Sequence, residues 1–168
     1  MIRPSRAYSL VETLVAIGIM ALLMLAVTSF ISGLLSAERR NRAIAEVEAQ
    51  GNYVMSTFAQ SARNATAITA PATANTSSSG LVLASSVAGE NPTTYGLVSG
   101  GVQVKRGATA TTTLTSNTVT VTSLTLTNTS AASTKGAVRL TLTLAYTNPT
   151  NRADLTFSQT FYTTVTLR

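Results

Sequence analysis

An unbroken run of 25 uncharged residues, Thr13 to Ala37, constrains this chain more than any other feature. A helix rises about 1.5 Å per residue and a membrane's hydrocarbon core is about 30 Å thick, so the run is long enough to span a bilayer. Leu, Ile, Val, Met and Ala dominate it, and Gly18 and Gly33 suit close helix approach in membranes. Glu12 stands immediately before the run. A charge at the end of a span reaches the interface, whereas one drawn deeper costs roughly 2.5–3.5 kcal/mol on insertion scales. Glu12 therefore either has a partner within the membrane or is an interfacial residue that the helix dipole favours.

The helical pattern starts at Ser9, behind the polar, basic segment "MIRPSRA" of residues 1–7. Past Ala37 it becomes amphipathic. Ile44, Val47, Gly51, Val54 and Phe58 recur at spacings of three and four, with Glu38, Glu46, Glu48 and arginines between them. No proline interrupts the interval, so one helix is expected to about Asn64, with residues 8–37 apolar and 38–64 amphipathic. "TAITAPATANTSSSG" then reads as a loop, placed at residues 65–80.

Residues 81–168 read as a Ser/Thr-rich β-domain. From Thr66 onward 38 of 103 residues are Ser or Thr, 27 of them Thr, a β-branched residue suited to the solvated face of a sheet. Val138, Leu140, Leu142, Leu144 and Tyr146 share one face of a strand, and Leu155, Phe157, Phe161, Val165 and Leu167 one face of another. "TNPTNRAD" between them carries turn chemistry that closes an antiparallel hairpin. In "TVTVTSLTLT" the apolar parity changes between Val121 and Leu124, which places a bulge or bend near Ser123. Shorter strands are expected at "LVLA" from Leu81, "YGLV" from Tyr95 and "VQVK" from Val102. The expected class is α+β, a long N-terminal helix packed on a C-terminal antiparallel sheet.

The chain has no His and no Cys, which removes imidazole bases, thiol nucleophiles, disulfides and the softer metal ligands. An enzyme is not expected, nor a cofactor or a metal. Glu90 and Asp154 are the only carboxylates of the β-domain, and calcium takes 6–8 oxygens. The net charge of +6 raises nucleic acid as a partner. Lys105, Arg106, Lys135, Arg139 and Arg152 are the residues that would form such a patch, but no aromatic interleaving supports base stacking. Asn64, Asn75 and Asn128 each begin an N-x-S/T sequon, which a chain so rich in threonine acquires by chance.

The stretch "RAYSLVETLVAIGIMALL" resembles the N-terminus of type IV pilins, and most closely that of minor pilins and the J-like or W-like pseudopilins of type II secretion systems. In that family a short basic leader ends at a small residue, an aromatic becomes the first mature residue, and a glutamate stands fifth before a long apolar helix. Ala7, Tyr8 and Glu12 occupy those places. The resemblance implies leader cleavage between Ala7 and Tyr8, N-methylation of Tyr8, and a filament-assembly role for Glu12 against the N-terminal ammonium of a neighbouring subunit. It also implies three kinds of partner: other pilin-like subunits through their N-terminal helices, a prepilin peptidase and methyltransferase, and an inner-membrane assembly platform. The implied location is an N-in, single-pass cytoplasmic-membrane precursor and then an extracytoplasmic filament or the cell surface. Ala7 stands in place of the usual Gly, Ser29 where major pilins often carry a kinking Pro, and no cysteine-bounded loop is present. These departures favour an accessory subunit over a principal one.

Two other readings compete. An ordinary secretory signal would be cut after "LSA" at Ala37, although an apolar region of 25 residues exceeds the 7–15 usual for such signals. Alternatively the Thr-rich domain is a filament-exposed module for adhesion or DNA binding.

Overall fold

The computed structural model describes residues 9–131 and 136–168. Among the described residues run a helix α1 (Leu10–Asn64) and nine strands: β1 (Ala65–Ala70), β2 (Ser77–Ser78), β3 (Gly80–Ser85), β4 (Thr93–Val98), β5 (Gly101–Arg106), β6 (Thr112–Thr113), β7 (Val119–Asn128), β8 (Ala137–Tyr146) and β9 (Ser158–Thr166). Contacts divide the chain into two compact units, one ending at Arg39 and the other comprising Arg40–Arg168.

Within the first unit the helix from Leu10 is apolar on every face between Glu12 and Glu38. Leu10, Ile17, Leu22, Leu25, Phe30 and their neighbours are exposed, Leu10 by 76%. A helix apolar on every face is stable only where its surroundings are apolar too, and this one is long and apolar enough to cross a membrane. Its hydroxyls suit such surroundings. Thr13, Thr28, Ser32 and Ser36 each donate to a carbonyl three or four residues back, at 2.8–3.0 Å, so none of these donors enters hydrocarbon unpaired.

In the second unit the same helix becomes amphipathic and lies on β-structure. Ala43, Val47, Gly51, Val54, Phe58 and Ala62 are buried, in steps of four, four, three, four and four. The stripe differs at its start from the expected one: Ala43 is fully buried while Ile44 is half-buried, because the 3.6-residue period extended back from Val47 falls one residue earlier. Gly51 lets a strand approach closely. A Cβ at that position would lie 2.3–2.6 Å from the ring carbons of Phe161 on β9.

The strands divide between two antiparallel sheets, five-stranded in the order β1-β3-β4-β5-β6 and four-stranded in the order β2-β7-β8-β9. β8 pairs with β9 from Ala137 opposite Thr166 to Ala145 opposite Ser158, which is the expected C-terminal hairpin. β7 pairs with β8, and its register shifts between Val121 and Ser123. That bulge lets Val119, Val121, Leu124 and Leu126 all reach the core. The three shorter strands expected at Leu81, Tyr95 and Val102 form β3, β4 and β5.

Two intervals differ from the sequence reading. Residues 65–80 are not purely loop, since β1 extends the helix end directly into a strand paired with β3. Its sequence, "ATAITA", offers only Ile68 as a large apolar side chain, and backbone pairing supplies the rest. The two-residue β2 likewise joins β7, where Ser77 Oγ lies 2.8 Å from Thr127 Oγ1. Leu155 belongs to a 3-10 turn, Ala153–Leu155, rather than to the last strand. Asn148 organises that turn by donating to the Arg152 carbonyl at 2.7 Å and accepting from the Arg152 N–H at 3.1 Å.

Polar anchors complete the unit. Glu46 accepts from Thr118 Oγ1 at 2.8 Å, Gln50 Nε2 at 3.2 Å and Ser116 Oγ at 3.3 Å, and Gln50 Oε1 accepts the Ser116 N–H at 3.3 Å. These bonds tie α1 to the segment before β7. At the other end of the helix Tyr95 meets Phe58 edge-on, with ring centroids 5.5 Å apart and planes at 76°. Its hydroxyl donates to Ser61 Oγ at 2.7 Å. Burial pushes the Tyr95 phenol above its ordinary pKa, and the Ser61 bond opposes that rise.

Candidate functional site

The segment that bears on function is the start of α1. Ser9 caps the helix: its Oγ accepts the Val11 N–H at 3.2 Å, and its carbonyl accepts the N–H groups of Glu12 at 3.0 Å and Thr13 at 3.2 Å. Glu12 is thereby the third residue of the helix and lies in its first turn, where the dipole favours a negative charge. Its side chain is exposed. The Ser9-x-x-Glu12 spacing is itself a helix-start signal, and it puts the cap at Ser9, where the helical pattern of the sequence begins. Ala7 and Tyr8 lie outside the described residues, as do Arg3, Arg6 and Lys135.

From Glu12 onward the helix presents no charge until Glu38. A shallow depression of about 560 Å³ lies along Ala21, Met24, Leu25, Thr28, Ser29 and Ser32. Small side chains there lower the helix surface between larger neighbours, and in membranes such surfaces permit close packing of helices. A carboxylate at the head of a long apolar rod can act chemically in two ways. It satisfies the helix start locally, or it pairs with a cation presented by another chain.

The remaining sequence candidates do not converge. Lys105 and Arg106 lie on β5 of the five-stranded sheet, whereas Arg139 lies on β8 of the other. Arg152 is held by both oxygens of Asp154, at 3.0 and 2.9 Å. Glu90 sits in the 3-10 turn Ala88–Glu90 and Asp154 in that of Ala153–Leu155. Among the described residues no group of three or more His, Cys, Asp or Glu is placed to hold a metal ion. Asn128, the third sequon asparagine, is buried. Its amide donates to the Pro71 carbonyl at 2.8 Å and accepts from the Ser130 N–H and hydroxyl at 3.0 and 2.6 Å, so it serves as a structural junction and offers no acceptor for a glycan.

The prokaryotic N-terminal methylation motif matches residues 2–28. The matched stretch contains Ala7, Tyr8 and Glu12 and the first half of the apolar run. The motif is that of type IV pilin-like leaders, and the helix and sheets described above form a pilin-like α+β fold whose helix is long and apolar enough to cross a membrane. No curated protein and no solved structure matches the chain.

Proposed function

We propose that this chain is a minor-pilin or pseudopilin subunit that is cut from its leader between Ala7 and Tyr8, N-methylated at Tyr8 and packed into a type IV pilus-like or type II secretion-like filament. The observation that carries the reading is the methylation motif leading directly into a half-helix that is apolar and exposed on every face. Outside a bilayer, such a surface is stable only when covered by others like it. Cleavage creates a new α-ammonium four residues before Glu12, and methylation preserves its charge. In a bundle of staggered helices the carboxylate of one subunit meets the ammonium of the next. Lateral apolar packing supplies cohesion and the charge pair selects the stagger, because breaking a buried pair by removing one member costs about 3–5 kcal/mol.

Glu12→Ala tests the pairing in cells. The variant is expected to insert in the membrane at wild-type levels yet to be depleted in sheared filaments, since the lost partner matters only where helices are bundled in a low dielectric. Equal incorporation at equal membrane levels would leave Glu12 as a helix-start residue only.

A further inference from the structure

Within residues 40–168 one recess is polar yet wholly uncharged. β4 and β5 are joined through Ser99 (φ 50°) and Gly100 (φ 75°), both left-handed, as a tight two-residue hairpin requires. The hairpin tip rests on the start of β7, where the Val121 N–H donates to the Gly100 carbonyl at 2.8 Å. On the other side the Val102 N–H donates to Thr115 Oγ1 at 3.2 Å. Between these anchors lies a cleft of about 400 Å³.

No Asp, Glu, Lys or Arg lines it. Ser99, Gln103, Thr113 and Asn117 line it, Gln103 half-buried and the other three exposed, and none of these four side chains has a hydrogen-bond partner among the described residues. Val98, half exposed, forms an apolar lip. The lining selects by elimination. A charged ligand would lose water without meeting a counter-charge, and an apolar one would leave two carboxamides and two hydroxyls without partners as it displaced their water. Hydroxyl and carboxamide side chains both donate and accept, and so do the hydroxyls of a sugar, whose C–H face suits Val98.

We propose that this cleft binds a neutral glycan. The proposal extends the exposed-module reading of the β-domain and does not depend on filament assembly, since the cleft lies wholly within the second unit. The test uses the full chain in micelles of a detergent without a sugar head group. Labelled chitohexaose, cellohexaose and mannohexaose are the neutral probes, with a heparin hexamer, a single-stranded DNA oligomer and an uncharged peptide as competitors of other classes. At least one neutral hexamer is expected to bind, and Gln103→Ala and Asn117→Ala are each expected to weaken it about tenfold, with the near-ultraviolet circular dichroism of the fold unchanged. Asn117 sits in an exposed turn, so its variant remains informative if Gln103→Ala unfolds the sheet. Failure of all three neutral hexamers to bind, wild-type affinity in Asn117→Ala, or preference for heparin, DNA or peptide would each overturn the proposal.

Discussion

Replacing Gly51 by alanine sets two opposing effects against each other at one position. In a helix interior the change should stabilise, because glycine is about 0.8–1.0 kcal/mol less favourable than alanine there. Here the added Cβ would lie 2.3–2.6 Å from three carbons of the Phe161 ring, well inside van der Waals contact. Either the helix backs away from β9 or the ring swings off the core. Forcing a methyl into a packed site costs typically 1–3 kcal/mol, so after the propensity gain the net effect expected is a loss of up to about 2 kcal/mol. The sign should reverse once the ring is gone: in a Phe161→Ala background, Gly51→Ala should stabilise by up to about 1 kcal/mol, its helix propensity alone. A double-mutant cycle isolates this coupling. Urea unfolding of the full chain in mild detergent, followed through the near-ultraviolet signal of buried Tyr95, is a suitable readout since the chain has no Trp. The same stability change for Gly51→Ala in both backgrounds would refute the steric account of this glycine.

Three further outcomes follow from the same geometry. Tyr95 has its folded-state pKa raised, chiefly by burial, so its stabilising contribution is complete below the unfolded value near 10 and is lost as pH rises towards the folded value. Stability should therefore fall more steeply between pH 9 and 11 in wild type than in Tyr95→Phe, and parallel urea midpoints across that range would contradict this. Glu46→Ala removes the acceptor shared by Thr118, Ser116 and Gln50 and should cost about 1–3 kcal/mol, a loss readable in the same unfolding assay; an unchanged midpoint would show that water replaces the carboxylate. Mass spectrometry of protein from the native host should find Tyr8 as the first residue with its amine methylated, whereas a product starting at Glu38 would mean that an ordinary signal peptidase acts.

Side-chain periodicity along this sequence determined much on its own. The step of three and four through Val47, Gly51, Val54 and Phe58 specified a helix with one buried face, and the alternation in "VRLTLTLAY" specified a strand, because each pattern is compatible with only one backbone repeat. The parity change after Val121 even located the β7 bulge, since a single extra residue is what keeps both halves of the apolar set facing inward. At the N-terminus, charge and length were sufficient to mark Glu12 and the apolar run behind it, properties that need no folding to be read.

Tertiary structure decided what depends on pairing between distant segments. The division of the strands into two sheets, and the recruitment of "ATAITA" and Ser77–Ser78 as strands, rest on backbone hydrogen bonds to β3 and β7, which any sequence can make and which leave no periodic trace. In the sequence Glu46 is one of the charges that stand between the residues of the apolar stripe. Its partners Ser116 and Thr118 lie about 70 residues away, so only the fold could show that it anchors the helix. Glu12 was conspicuous before any fold was known because its environment is set by residues next to it in sequence. The cleft beneath the β4–β5 hairpin could not be read that way, because its uncharged lining is gathered from three separate stretches, 98–103, 113–120 and Thr147, that folding alone brings together.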